Sequence, residues 1–169
     1  MQENVEVPTS AGAREIVVGI DGSPQSILAL EWAATLAPTL GATIVGVAAW
    51  QLESAYGAPR RDGWDPKIIA EENIAKTLTT AFGDNPPAGL TTESYRGQPA
   101  KVLMQRSKSA AMLILGSRGY GGFKGLLLGS VSTACAAHAH CPVLVTREAP
   151  EPAAEDAAND DAHGTGVNA

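Results

Sequence analysis

Apolar positions in this chain form five short runs, and the segments between most of them repeat apolar residues at helical spacing. The runs predict strands over residues 15–21, 42–50, 90–96, 111–115 and 142–146. Helices are predicted over residues 24–40, 66–82, 98–110 and 130–138. Because strands and helices alternate, we predict an α/β fold with an open five-stranded parallel sheet and helices on both faces. The pattern does not determine the order of the strands.

The first predicted helix carries signals at both of its ends. Ser23 has the residue type of an N-cap, Pro24 follows at the first helical position, and Gly41 ends the helix. Pro38 is expected to kink or shorten the last turn. The polar connection over residues 51–66 is longer than usual, which predicts a lid or another functional loop.

Length and composition predict one domain with an aliphatic core. The 169 residues suffice for one well-filled core, and they are 44% hydrophobic but only 5% aromatic. No apolar run approaches the roughly 20 residues that span a membrane, so no membrane partner is expected. Residues 1–13 lack the basic start and apolar stretch of a signal peptide. We therefore expect a flexible arm before a domain at residues 14–147, and a cytoplasmic location.

The net charge of -6 comes from the C-terminal segment. Residues 148–169 contain six acidic residues and neither Lys nor Arg, which leaves 12 acidic and 12 basic residues in the rest of the chain. A formally neutral folded part argues against a large basic face for nucleic acid. The segment is otherwise rich in Ala, Pro and Gly, which predicts a disordered acidic tail, either solubilising or used for interaction.

Two cysteines lie close together near the end of the domain. Cys135 and Cys141 flank His138 and His140. This spacing does not match the closely spaced ligand pairs of structural zinc sites, so we favour buried thiols over a metal site. A reducing compartment also disfavours a disulfide.

The most informative chemical pattern is Gly-x2-Gly-x9-Gly-Ser, formed by Gly116, Gly119, Gly129 and Ser130. It follows the fourth predicted strand, at the edge where open α/β sheets bind their ligands. The first two glycines permit positive φ and a close approach to a ligand. The last two residues begin a helix, whose free N–H groups and dipole attract phosphate. The pattern therefore predicts a phosphate-binding loop.

Two better-known phosphate-binding motifs are absent. A Walker loop requires Gly-x4-Gly-Lys-Ser/Thr, whereas Lys124 precedes Gly125 and no suitable hydroxyl follows it. A dinucleotide fingerprint requires Gly-x-Gly-x2-Gly after the first strand, and that turn instead reads Gly-Ile-Asp-Gly-Ser over residues 19–23.

The glycine spacing resembles the nucleotide-binding signature of the universal stress protein family. The resemblance runs from about residue 14 to residue 147 and includes the opening Val-Gly-Ile-Asp-Gly-Ser and the closing Cys-Pro-Val-Leu-Val. It implies an adenine nucleotide alpha hydrolase-like, Rossmann-like sandwich that binds ATP, or the related AMP or cyclic AMP, across the carboxyl ends of the strands. It also implies a homodimer formed through the last strand and a regulatory role in stress, with a protein partner that the sequence does not identify.

The resemblance further implies roles for individual residues. Asp21 would lie near the ribose and the metal-bound phosphates, and Ser130 would help it to hold Mg²⁺. The implied nucleotide contacts are Gly19, Ile20, Asp21, Val47, Gly116, Ser117, Arg118, Gly119, Gly129, Ser130, Val131 and Ser132.

The residues themselves leave several of these roles open. Asp21 could cap the following helix instead of meeting a ligand, and Val47 could be only a buried strand residue. Arg118 and Lys124 are either solvated charges or phosphate ligands. Three aromatic residues are more often packing residues than stacking platforms: Trp50 at the end of the second predicted strand, and Tyr56 and Trp64 in the connection after it.

No catalytic residues are predicted. Phosphoryl transfer requires a positioned nucleophile or water and usually a metal, and the sequence offers no obvious base beyond Asp21. The alternatives to an ATP-dependent regulator are a nucleotide-independent interaction or chaperone-like protein, and a slow ATPase.

Overall fold

A computed structural model describes residues 14–51, 65–119 and 127–148 of the chain. Strands and helices alternate throughout these ranges, as predicted. The strands are β1 (Arg14–Gly19), β2 (Ala42–Trp50), β3 (Thr91–Arg96), β4 (Met112–Gly116) and β5 (Val143–Thr146). The helices are α1 (Pro24–Leu40), α2 (Pro66–Phe82), α3 (Pro99–Arg106) and α4 (Ser130–His138). The predicted α/β class is confirmed.

Helix α1 has the caps that its sequence predicts. The Ser23 hydroxyl accepts a hydrogen bond from the Ser26 N–H at 3.3 Å, and Gly41 closes the helix in the left-handed conformation. Pro38 does not end the helix early, because the helix continues to Leu40 as predicted. The Gly41 N–H bonds back to carbonyls of the last turn, which completes that turn beyond the proline.

Helix α3 ends earlier than predicted, at Arg106 instead of residue 110. Just beyond this end, the Ser107 hydroxyl donates to the Met104 carbonyl at 2.7 Å and accepts from the His140 N–H at 2.9 Å. The Ser109 hydroxyl bonds the Arg106 carbonyl at 3.4 Å. Serine hydroxyls that bond nearby backbone groups compete with the helical hydrogen bonds, which explains the early end.

The strand order is β3-β2-β1-β4-β5, and all neighbouring strands are parallel. The chain starts at the central strand β1, moves outward through β2 to β3, and then crosses to β4 on the other side of β1. The direction of winding therefore reverses between β1 and β4. Such a switch point leaves a crevice at the carboxyl ends of the two strands, where open α/β sheets bind their ligands.

Each face of the sheet is covered by two helices. Helices α1 and α2 pack on the face that carries Ile16, Val18 and Ile114. Helices α3 and α4 pack on the opposite face, which carries Val17 and Leu113. Neighbouring residues of one strand thus contribute to different halves of the core, as the alternation of side chains in a strand requires. The core on both faces is aliphatic, as the composition predicts.

Several predicted features lie outside the described residues. These are the N-terminal arm, most of the 51–66 connection with Tyr56 and Trp64, residues 120–126 with Lys124, and the tail after Glu148. Within the described ranges, no helix combines the length and the apolar character that a membrane span requires.

Candidate functional site

A cavity of about 420 Å³ opens at the carboxyl ends of β1, β2 and β4. Its size falls within the range of about 300–1,000 Å³ that is common for small-molecule sites. From β1 the chain adds β2 and β3 on one side, and β4 and β5 then follow on the other side. The cavity opens at the ends of β1 and β4, so it lies at the switch point of the sheet. The strand topology therefore places a ligand-sized space where the glycine pattern follows β4.

Eleven of the twelve nucleotide contacts that the family resemblance implies line this cavity. They come from the ends of β1 and β2, the turn after β4, and the start of α4. They are Gly19, Ile20, Asp21, Val47, Gly116, Arg118, Gly119, Gly129, Ser130, Val131 and Ser132. The fold thus brings the predicted residues together, and their contact with a nucleotide stays a prediction.

Ser117 does not line the cavity, and its backbone links three elements instead. It is 5% exposed. Its N–H donates to the Thr146 carbonyl in β5 at 2.7 Å, and its carbonyl accepts from the Gly129 N–H at 2.7 Å. Ser117 therefore ties the turn after β4 both to the edge strand and to the start of α4.

Asp21 follows β1 and presents its carboxylate at the cavity wall. Its Oδ1 atom accepts two hydrogen bonds from Ser23, one from the backbone N–H at 3.0 Å and one from the hydroxyl at 2.6 Å. Asp21 does not cap α1 itself, because Ser23 provides the capping oxygen. An ionised carboxylate only accepts hydrogen bonds, so its partner on a ligand must be a donor group or a cation.

Gly116 and Gly119 are needed for space and not for backbone conformation. Neither has positive φ, so that part of the expectation is wrong. A Cβ on Gly116 would lie 2.5 Å from the Gln25 Cβ and 2.9 Å from its carbonyl carbon, in the first turn of α1. A Cβ on Gly119 would overlap the Oδ2 atom of Asp21. The end of β4 therefore packs directly on the first turn of α1, and the turn after β4 packs on the connection between β1 and α1. The expected close approach of these glycines to a ligand stays a prediction.

The first turn of α4 has no capping side chain. Gly129 is the N-cap residue, whereas α1 and α2 are capped by the side chains of Ser23 and Asp65. The N–H groups at a helix start carry the positive end of the helix dipole and favour an anion. Since this turn lines the cavity, the arrangement suits a phosphate or another anion there.

The two serines of this first turn differ in their surroundings. Ser130 is exposed and lines the cavity. Ser132 is 4% exposed, and its hydroxyl donates to the Gly116 carbonyl at 2.6 Å. Ser132 therefore holds α4 against the end of β4, and the Ser130 hydroxyl is the better placed of the two to meet a ligand.

Sequence reasoning missed the contributions of α1 and α3 to the cavity wall. The additional lining residues are Ser23, Ser26, Ala49, Pro99, Leu103, Leu115 and Leu128. Ala49 could have been found, because it follows Val47 at the two-residue period of a strand. Pro99 and Leu103 could not, because the local pattern of a helix does not reveal which face of the sheet it covers.

Arg118 and Trp50 lie in different surroundings, the first at the cavity and the second against the core. Arg118 is exposed and is the one cation among the described lining residues, so it is positioned to meet an anionic ligand. Trp50 is partly buried against the core that α1 and α2 form with the sheet, which confirms the packing interpretation for this residue.

Cys135 is a buried free thiol, as predicted, and Cys141 is a partly buried one. Burial raises the pKa of Cys135 to about 11, and the nearby Cys141 thiol adds to this rise. Burial also raises the pKa of Cys141. Within the described ranges, no three His, Cys, Asp or Glu residues are placed to hold a metal ion.

We expect Cys135 to react slowly with a disulfide reagent in the native protein. Only the thiolate is nucleophilic, and a pKa near 11 leaves about one thousandth of the thiol ionised at about pH 8. The rate is measured in the Cys141→Ser variant, where Cys135 is the remaining cysteine of the chain. Urea should raise the rate strongly, and an equal rate in native and unfolded protein would contradict the burial argument.

Comparison with known proteins agrees with the fold. The protein-family model described as the universal stress protein family matches residues 12–147. The chain belongs to the universal stress protein family. Universal stress protein Rv2623 of Mycobacterium tuberculosis is 36% identical over 133 residues, which cover 79% of this chain and 45% of that relative. This universal stress protein chain spans about half the length of the curated relatives it matches.

Solved structures of other universal stress proteins share the fold at low sequence identity. A universal stress protein in complex with cAMP is 23% identical, with a TM-score of 0.56 and coverage of 79% of this chain and 97% of that chain. The universal stress protein from Archaeoglobus fulgidus in complex with dAMP is 17% identical, with a TM-score of 0.54 and coverage of 80% and 98%. At these identities the likeness is one of fold.

Proposed function

We propose that this universal stress protein binds an adenine nucleotide in the cavity at the switch point between β1 and β4. One observation carries the proposal: a carboxylate acceptor at Asp21, an uncapped helix start at Gly129 and a tightly packed glycine turn converge on one cavity. Two solved universal stress proteins hold cAMP and dAMP, which are both adenine nucleotides and support the proposed ligand class.

In this proposal the ligand is ATP, and the cavity has an apolar and a polar part. Val47, Ala49 and Leu103 line the apolar part, which would take the adenine ring. The start of α4 would take the phosphates through its N–H groups, and Arg118 would add charge-assisted hydrogen bonds. Asp21 would accept a hydrogen bond from a ribose hydroxyl.

Mg²⁺ would enter the site together with the phosphates. The Asp21 carboxylate and the Ser130 hydroxyl are both exposed and line the same cavity. These oxygen donors fit Mg²⁺, which proteins commonly hold through one or two carboxylates together with substrate phosphates and water. When bound, the ion would offset the phosphate charge, which Arg118 alone does not balance.

We further propose that the protein forms a homodimer through β5. This strand is at the edge of the sheet, with β4 as its neighbour. The unpaired backbone groups of an edge strand are able to pair with a second chain. Ser117 bonds both to Thr146 of β5 and to Gly129 at the proposed phosphate site, which offers a path by which nucleotide occupancy would bias the dimer edge and a regulatory output.

Isothermal titration of the purified protein with ATP and Mg²⁺ tests the nucleotide proposal. We expect saturable binding of one nucleotide per chain, with AMP and cyclic AMP measured in parallel to rank the ligands. Mass spectrometry of small molecules released from the purified protein would identify a retained nucleotide. Failure of all three nucleotides to bind would reject the proposal and favour a nucleotide-independent interaction protein.

Hydrolysis is tested separately from binding. ADP release that stops in Asp21→Asn, while ATP still binds, would identify a slow ATPase. Sedimentation analysis with and without ATP would test the dimer. The cytoplasmic location stays a prediction from the sequence.

A further inference from the structure

One oxygen of the Asp21 carboxylate is already held before any ligand is bound. The residue is exposed, and an exposed carboxylate with free rotamers would lose that freedom when it met a ligand. Here Oδ1 accepts from the Ser23 N–H at 3.0 Å and from the Ser23 hydroxyl at 2.6 Å. The other oxygen, Oδ2, lies against Gly119, which lines the cavity. The carboxylate therefore has a defined orientation at the cavity wall.

Ser23 is able to impose this orientation because it is itself fixed. It is 4% exposed, its hydroxyl accepts from the Ser26 N–H at 3.3 Å, and its carbonyl accepts from the Ser26 hydroxyl at 2.8 Å. Ser26 is 2% exposed and belongs to the first turn of α1. Within the described residues, Ser23 supplies both hydrogen bonds that Asp21 receives.

We propose that Ser23 is a positioning residue, which orients the Asp21 carboxylate so that its Oδ2 atom meets the nucleotide. This inference rests on the proposed nucleotide site. Ser23 acts through Asp21: its hydroxyl is engaged by Asp21 and by the backbone of α1. Because Ser23 already holds Asp21 in the free protein, Asp21 loses less rotamer freedom when the ligand binds. This smaller loss of entropy strengthens binding.

Ser23 also caps α1, so a loss of stability alone does not demonstrate positioning. Asp65 provides a matched control, because it caps α2 by accepting from the Lys67 N–H at 2.8 Å and does not line the cavity. Ser23→Ala and Asp65→Ala each remove a capping side chain and should lower the unfolding temperature to a similar extent. Only Ser23→Ala should weaken ATP binding. The expected loss is about fivefold, which corresponds to the entropy cost of ordering one side chain when the ligand binds. Ser23→Thr keeps the hydroxyl and should retain most of the affinity.

A double-mutant cycle separates positioning from a structural effect. ATP affinity is measured by isothermal titration in the full chain, in Ser23→Ala, in Asp21→Ala and in the double variant, with Ser23→Gly as a milder replacement if Ser23→Ala unfolds. If Ser23 acts through Asp21, Ser23→Ala has no further effect once the carboxylate is gone, and the double variant matches Asp21→Ala to within about twofold.

Three other outcomes would overturn the proposal, each for a different reason. An equal loss of affinity from Ser23→Ala in both backgrounds would show a structural role. An unchanged affinity in Ser23→Ala, with normal ATP binding by the unmodified chain, would show that Asp21 does not need to be held. Failure of the unmodified chain to bind ATP, AMP and cyclic AMP would reject the nucleotide site itself and this inference with it.

Discussion

Gly119→Ala is expected to weaken ATP binding by at least about tenfold while the fold stays intact. A Cβ at this position overlaps the Oδ2 atom of Asp21, and the carboxylate does not turn away freely because Ser23 holds its other oxygen. Either those hydrogen bonds break or the turn after β4 withdraws from the cavity. In either case Asp21 loses its hydrogen bond to the ligand. A hydrogen bond to a charged group contributes about 1.5–3 kcal/mol, and tenfold in affinity corresponds to about 1.4 kcal/mol.

Gly129→Ala is the matched control for this experiment. A Cβ on Gly129 would lie 3.5 Å from the Ser117 carbonyl oxygen and 3.6 Å from the Arg118 Cα, which are ordinary contacts. Its φ of -73° also suits alanine. We expect a small loss of stability, since alanine is a poor N-cap residue, and a smaller loss of affinity than in Gly119→Ala. Isothermal titration with circular dichroism measures both effects, and normal ATP affinity in Gly119→Ala would contradict the proposed role of this turn.

The sequence predicts the elements well where local signals mark both ends. Helix α2 has its predicted bounds, because a proline begins it and Gly83 follows its last residue. The end of α3 was not predicted, although Ser107 and Ser109 mark it by bonding carbonyls three residues earlier. The hydrogen bond from the His140 N–H to the Ser107 hydroxyl joins distant parts of the chain, and the local sequence does not reveal it. The strand order could not be predicted either, because it depends on how distant segments pair in the folded sheet and not on the sequence of any one segment.

The cavity was largely predictable because parallel strands place their carboxyl ends at one edge of the sheet. That rule brings Asp21 after β1 and Gly119 after β4 to the same place, far apart as they are in the sequence. At Gly119 the expected positive φ is wrong, Asp21 occupies the space that a Cβ would need, and close approach to a ligand stays a prediction. The link from Ser23 to Asp21 was overlooked, although an Asp-x-Ser spacing commonly forms such local hydrogen bonds.

A buried charge cluster joins α3 to the sheet around Arg106, which is 1% exposed. Its Nε donates to Glu93 at 2.8 Å, and its Nη2 donates to Glu15 at 3.0 Å and to Glu93 at 3.2 Å. Burial alone would lower the pKa of Arg106, but the charges and hydrogen bonds of Glu93 and Glu15 together outweigh burial and raise it above its ordinary value. The guanidinium therefore stays charged inside the protein, and it connects α3 to β1 and β3.

Arg106→Met is expected to lower the free energy of unfolding by about 3–5 kcal/mol. Removing one partner of a buried ion pair leaves the other charge without compensation, which costs far more than the pair itself contributes. In this case the carboxylates of Glu15 and Glu93 both lose their hydrogen bonds to the guanidinium. Urea unfolding followed by circular dichroism measures the change, with an unaltered slope as the sign that the unfolded state is the same.

The exposed pair of Lys67 and Glu71, 3.6 Å apart on α2, provides the control for this charge effect. Lys67→Ala should change the free energy of unfolding by only about 0.3–0.5 kcal/mol, because solvent screens both groups. Adding Glu93→Gln to Arg106→Met should recover part of the lost stability, since it removes one of the two carboxylates that have lost the guanidinium. If the recovery is absent, the loss comes from packing around the arginine stem and not from charge. If Arg106→Met costs no more than Lys67→Ala, the cluster does not stabilise the fold.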